Sequence, residues 1–284
     1  MQKFNLGCQL NYTLATPSTL IFHIQPVTSD YQRILQEQLQ LDPLLPVEEY
    51  VNPLENNRYI RINAPAGELQ ISYQATVALS QFEANPETLQ EVEPAHLPLE
   101  TLHYLYPSRY CQSDRLMNLA QSEFGDLKPG YSKVQKICDW IYEKVKYLSG
   151  STNSQTSAYD TVTQRAGVCR DFAHLGIAFC RALNIPARFV SAYAYKLEPP
   201  DFHACFEAYL SDRWYLFDAT RLVPLEGVVR IGTGRDAADV SIATLFGSVE
   251  MNQMQVFVEP ADDGTDNTEE KSGAIAITKS LVTT

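Results

Sequence analysis

Three residues in the second half of the chain carry side chains suited to nucleophilic acyl chemistry. Cys169 lies in Gly167-Val168-Cys169-Arg170-Asp171-Phe172-Ala173-His174, His203 in Asp201-Phe202-His203-Ala204-Cys205-Phe206-Glu207, and Asp218 ends Trp214-Tyr215-Leu216-Phe217-Asp218. A thiolate is a strong nucleophile, an imidazole within reach takes its proton, and a carboxylate on the far ring nitrogen holds the imidazole in place. Cysteine, histidine and aspartate in this chain order therefore point to a triad that works through a thioester. Taken singly, each has an ordinary structural reading: a cysteine is often a small buried hydrophobe, a strand histidine is usually satisfied, and an aspartate ending a strand often forms a turn. The conjunction favours catalysis.

These residues act only if secondary structure brings them together. Phe172, Gly176, Phe179, Cys180 and Leu183 keep helical spacing until Asn184-Ile185-Pro186 stops the helix, and Gly167 permits a tight turn before it. Cys169 is thereby placed at a helix start, where unpaired N–H groups and the helix dipole stabilise a thiolate and supply donors for an oxyanion. The runs around Ser211-Asp212 predict a hairpin in which Leu210 faces Arg213. That register puts Asp218 opposite Cys205 and diagonal to His203 on one face, whereas a slip of one residue would separate the two. His174 lies about 140° around an ideal helix from Cys169 and is read as structural. Asp171 is read as electrostatic support for the helix N-terminus, with a charge that also disfavours a nearby thiolate. Glu207 shares a strand face with His203 and is read as structural.

The first 80 residues or so alternate apolar and polar positions, as in Cys8, Leu10, Tyr12, Leu14 and Leu69, Ile71, Tyr73, which predicts an antiparallel β-domain over residues 1–95. Residues 31–41 are ambiguous between helix and strand and are assigned as strand from their neighbours. A proline- and acid-rich stretch gives a linker at 96–112, and the catalytic domain follows over 113–260. It begins with a helix that Ser113 caps and Gly125 ends, and continues with Val134, Ile137, Cys138, Ile141, Tyr142 and Val145 on one face of a second helix. Residues 261–284 form an acidic tail carrying Asp262, Asp263, Asp266, Glu269 and Glu270, read as a solvated segment, with a strand over 274–282 whose partner is unassigned.

The cysteine and histidine motifs quoted above, together with Trp214-Tyr215-Leu216-Phe217-Asp218-Ala219-Thr220, resemble those of the transglutaminase-like superfamily, in particular bacterial transglutaminase-like proteins and proposed cysteine proteases with a β-rich N-terminal domain. The resemblance covers roughly residues 110–260. It implies an α+β fold: a β-rich N-terminal domain, then a papain-like transglutaminase core whose helix-borne cysteine packs on an antiparallel sheet. It also implies a reaction anywhere from amide hydrolysis to amine crosslinking, or a member that has lost catalysis. Cys205 departs from the pattern, since many relatives have an aromatic residue there.

Composition bounds the remaining choices. At 284 residues and 45% hydrophobic content the chain fills a substantial core. Its net charge of −12 repels phosphate backbones, which argues against a nucleic-acid partner. No apolar run reaches the roughly 18 residues of a membrane span and no leader pattern opens the chain, so no membrane is expected and the location expected is the cytoplasm. The six cysteines show no C-x-x-C pair, which weighs against a zinc site or disulfide scaffold. The expectation is a cysteine-dependent enzyme that acts on a peptide or protein substrate without metal or organic cofactor. Hydrolysis is preferred to crosslinking, the rival is a non-catalytic scaffold, and the oligomeric state is left open.

Overall fold

A computed structural model describes residues 1–261 and 273–277. The acidic run and the end of the strand expected at 274–282 lie outside the described residues. The N-terminal part holds β1 (Gln2–Leu14), β2 (Ser18–Phe22), β3 (Gln32–Asp42), β4 (Val47–Val51), β5 (Arg58–Ala64), β6 (Gly67–Leu79) and β7 (Phe82–Ala84). After three short 3₁₀ turns come α1 (Ser113–Phe124), α2 (Tyr131–Lys144), β8 (Lys146–Tyr147), α3 (Ala158–Gln164), β9 (Ala166–Gly167) and α4 (Cys169–Ala182). The chain then forms β10 (Ala187–Ala194), β11 (Phe202–Leu210), β12 (Arg213–Phe217), β13 (Val228–Gly234), β14 (Ala243–Phe246), β15 (Val249–Pro260) and β16 (Ala274–Ala276).

Two antiparallel sheets, ordered β15-β1-β6-β3 and β14-β2-β5-β4, form the N-terminal sandwich. The alternation visible in sequence is the alternation of faces: Phe4, Leu6, Leu10 and Tyr12 of β1 are buried against Leu20, Phe22, Ile60 and Ile62 of the facing sheet. β3 reads ambiguously because it is an edge strand, bonded only to β6, and Gln32 is its one fully buried residue. In sequence the second part runs on to residue 260, but in space β14 and β15 belong to the two sheets of the first. β15 lies antiparallel along β1 and pairs its backbone, as it must where a long strand would otherwise leave its N–H and C=O groups open. β16 takes β7 as its partner.

The second part is a sheet ordered β12-β11-β10-β13 with α4 packed on β10 and β11. Helix and sheet approach closely at Gly176, where an added Cβ would lie 2.6 Å from the Phe206 ring. The hairpin has the register expected from its loop, Leu210 opposite Arg213 and Phe206 opposite Phe217. α1 differs by one position from its sequence reading, because Ser113 is already helical and Gln112 precedes it as the cap residue.

The two parts share buried contacts. Tyr193, Val229 and Ile231 join the sandwich core, and the Tyr193 hydroxyl donates to the Ile24 carbonyl at 2.9 Å. Gln32 is buried between them, donating to the Val27 and Arg230 carbonyls at 2.7 Å and accepting from the Arg230 N–H at 2.8 Å. A junction with its polar groups satisfied in this way holds the sandwich in a fixed position beside the β12-β11-β10-β13 sheet.

Candidate active site

Cys169 is the first residue of α4, in the position where helix N–H groups lack partners within the helix. Asp171 is fully buried and accepts from the Val168 N–H at 2.9 Å, so its carboxylate closes the helix entrance. The charge that sequence reasoning set against a thiolate is offset by Arg170, whose guanidinium bonds Asp171 at 3.1 Å and the Asn153 carbonyl at 2.7 Å. Gly167 serves a purpose other than a turn. A Cβ there would stand 2.8 Å from the Asp171 Cβ, so the glycine is required for close approach to the capping residue.

β11 and β12 bring in the other two members. His203 is 2% exposed, and its Nε2 donates to Asp218 Oδ2 at 2.8 Å. Asp218 is itself held by Thr220, whose backbone N–H and hydroxyl donate to Oδ1 at 2.8 and 2.7 Å. The aspartate motif therefore carries its own positioning residue two places on. With Nε2 engaged, Nδ1 is the ring nitrogen left for Cys169, and it is buried without another partner. Burial by itself would lower the His203 pKa. The charge and hydrogen bond of Asp218, followed by the interaction with Cys169, outweigh it and raise the pKa from 6.5 to about 10. The histidine is thus an imidazolium at neutral pH, set between a carboxylate and a thiol.

The residue missed by sequence reasoning is Tyr147. β8 pairs in parallel with β9, Tyr147 opposite Gly167, and its ring packs 5.7 Å from that of Phe172. This sets Tyr147 beside the start of α4, and burial followed by the Cys169 charge raises its pKa to about 12. An aromatic residue directly after the second helix was the available signal, but nothing local in the sequence tied it to Cys169.

The remaining candidates each have partners of their own. His174 is fully buried, accepts from the Ala237 N–H at 3.1 Å and stacks on Tyr110, and its pKa is pushed down by burial. Glu207 is fully buried and accepts from Arg188 Nε at 2.6 Å, with Arg230 at 3.6 Å on its other oxygen, an ion cluster on β11. The five other cysteines are buried, and burial raises the pKa of each, Cys8 to about 11 and Cys111 to about 12. Cys169 is the partly exposed one. Among the described residues no three His, Cys, Asp or Glu side chains converge so as to hold a metal ion, and no helix is long and apolar enough to cross a membrane.

A family model of the transglutaminase-like superfamily matches residues 118–219, the span that holds Cys169, His203 and Asp218. A second, for the bacterial transglutaminase N-terminal domain, matches residues 2–100. The solved structure of a proposed cysteine protease from Cytophaga hutchinsonii is 46% identical, with a TM-score of 0.91 over 97% of each chain. This chain belongs to the transglutaminase-like superfamily. Members similar in sequence include an uncharacterised Mycobacterium leprae protein, 24% identical over 91% of this chain and 98% of its own length. An uncharacterised Mycobacterium tuberculosis protein is 28% identical over 76% of this chain and 77% of its own. In superfamily terms, the β-rich first part is the bacterial N-terminal domain and the α4-bearing part is the transglutaminase-like core.

Proposed function

We propose that this protein is a cysteine-dependent acyl-transfer enzyme acting on peptide or carboxamide bonds, with hydrolysis as its principal outcome. The observation that carries the reading is His203 held by Asp218 through Nε2 with Nδ1 left for a thiol at a helix N-terminus. Cys169 Sγ, as the thiolate, attacks the carbonyl carbon, and the carbonyl oxygen becomes an oxyanion that accepts from the Cys169 N–H. The C–N bond then breaks, and the Nδ1 proton of His203 passes to the leaving amine. Water attacks the thioester, His203 takes its proton, and the C–S bond breaks to return the thiolate and release a carboxylic acid. Asp218 keeps its charge throughout and holds the ring.

The partial exposure of Cys169 supports hydrolysis, since transfer to an amine requires that water be kept from the thioester. The test incubates the protein with a mixed peptide pool in the presence of a labelled primary amine and follows products by mass spectrometry. New peptide termini or deamidated side chains, absent with Cys169→Ala, are expected. Amine-extended products formed faster than hydrolysed ones would replace hydrolysis by crosslinking. A Cys169→Ala protein that fully restores a deletion strain would replace catalysis by a scaffold role.

A further inference from the structure

The middle of the outer face of the β15-β1-β6-β3 sheet, away from the sandwich core, is rich in uncharged hydrogen-bonding side chains. Gln9 and Asn11 of β1 lie beside Ser72 and Gln70 of β6 on one side and Gln255 and Gln253 of β15 on the other. On β3, Gln38 and Gln40 continue the array opposite Gln74 and Ser72. In a chain with net charge −12 the middle of this strip is uncharged, with charged side chains only toward its ends, at Asp42, Glu68 and Glu250 on one and at Lys3, Arg33 and Glu259 on the other. Among the described residues, the side chains of Gln9, Gln70, Ser72 and Gln74 hydrogen-bond no protein group. Asn11 gives its amide N–H to Gln253 at 3.1 Å, yet its Oδ1 is buried without a partner. A buried acceptor left unmatched costs free energy unless something supplies the donor.

The strip is also grooved. Depressions of about 750, 440 and 390 Å³ follow one another across it, the first two sharing Gln70 and the last two Ser72. In the third, the Phe257 ring lies over the bare backbone of Gly7, where an added Cβ would come within 2.8 Å of it. Pro200 and Phe257 also wall a smaller hollow of about 180 Å³ whose lining includes the charged residues Lys196, Glu198 and Asp201. Asp201 directly precedes β11 and stands two residues before His203, so the groove runs toward the candidate site.

We propose that this face binds an uncharged polysaccharide, and that the acyl donor is a peptide carried on such a glycan. The second statement rests on the proposed function and the first does not. Hydroxyl and acetamido groups match an array of amides that both donate and accept, and the C–H face of a pyranose matches an aromatic ring. The lack of charge disfavours nucleic acid and other polyelectrolytes. An extended peptide is a poor fit because β1 and β6 are bonded on both edges, which leaves no backbone ladder on this face for it to join.

The test is native gel electrophoresis of the full Cys169→Ala chain through gels containing hydroxyethyl cellulose or an uncharged, acetylated chitin derivative. Retardation by one or both polymers is expected, and the effective polymer concentration should rise about tenfold or more for Gln70→Ala/Gln74→Ala and for Phe257→Ala. Retardation by only one of the two assigns the recognised group, hydroxyl or acetamide. Failure of both polymers to retard the protein, or retardation unchanged in variants with the parent circular dichroism spectrum, overturns the proposal. In the Cys169 background, Gln70→Ala/Gln74→Ala should keep the parent pH profile of thiol alkylation, which separates a failed glycan site from a failed catalytic one.

Discussion

Replacing Asp218 by Asn removes one charge and preserves the shape of the site. The His203 pKa of about 10 is the outcome of burial, which lowers it, against the charge and hydrogen bond of Asp218 and then Cys169, which raise it from 6.5. At about 1.4 kcal/mol per unit, the net preference for imidazolium is on the order of 5 kcal/mol. Asparagine deletes the largest raising contribution and leaves the burial, so the pKa falls by well over one unit toward or below its ordinary value. The assay is the pH dependence of Cys169 alkylation by iodoacetamide, read by mass spectrometry, together with turnover once a substrate is found. The parent should label rapidly well below the free thiol pKa of about 8.5, with turnover declining as pH rises through about 10 and the acid that protonates the leaving amine is lost. The Asp218→Asn protein should label about tenfold or more slowly at pH 7, and its declining limb should move down by more than one unit. The same shift has a sign in stability: a raised histidine pKa stabilises the folded state fully below pH 6.5 and loses that contribution as pH rises through about 10. Urea unfolding across that window should therefore be flatter in the variant. Labelling within about twofold of the parent at pH 7, which corresponds to less than about 0.5 kcal/mol, with an unmoved limb would refute the coupling of Asp218 to the thiol through His203.

Tyr147→Phe removes a hydroxyl that interacts electrostatically with Cys169, so Cys169 labelling at pH 7 should slow by about threefold to tenfold, which corresponds to about half to one pKa unit. Glu207→Gln leaves Arg188 and Arg230 buried side by side without their counter-charge, and urea titration should show a loss of about 3–5 kcal/mol. Gly176→Ala drives a methyl group into the Phe206 ring between α4 and β11, and the melting temperature should drop in step with about 1–3 kcal/mol of overpacking.

Much of the candidate site was legible because its geometry is local. The apolar spacing after Cys169 defines the helix start, and a two-residue loop at Ser211-Asp212 leaves one sensible pairing, which sets His203 and Asp218 on one face. The same locality gave His174 and Glu207 their structural readings. β3 was harder, since an edge strand with mostly exposed residues shows little periodicity, and the role of Gly167 was misread because close approach to Asp171 belongs to three dimensions.

By itself the sequence determined the chemistry on offer and the elements that bear it: one cysteine opening a buried helix, and a histidine and an aspartate on paired strands. Tertiary structure decided what it could not. It selected Nε2 for Asp218 and left Nδ1 for Cys169, brought Tyr147 to the thiol through a two-residue parallel pairing with Gly167, and returned β15 to the edge of β1. The physical reason is that periodicity and turn chemistry report each residue's relation to its near neighbours. Which open edge a distant strand closes, and which side chain then meets a given atom, depends on the packing of the whole chain.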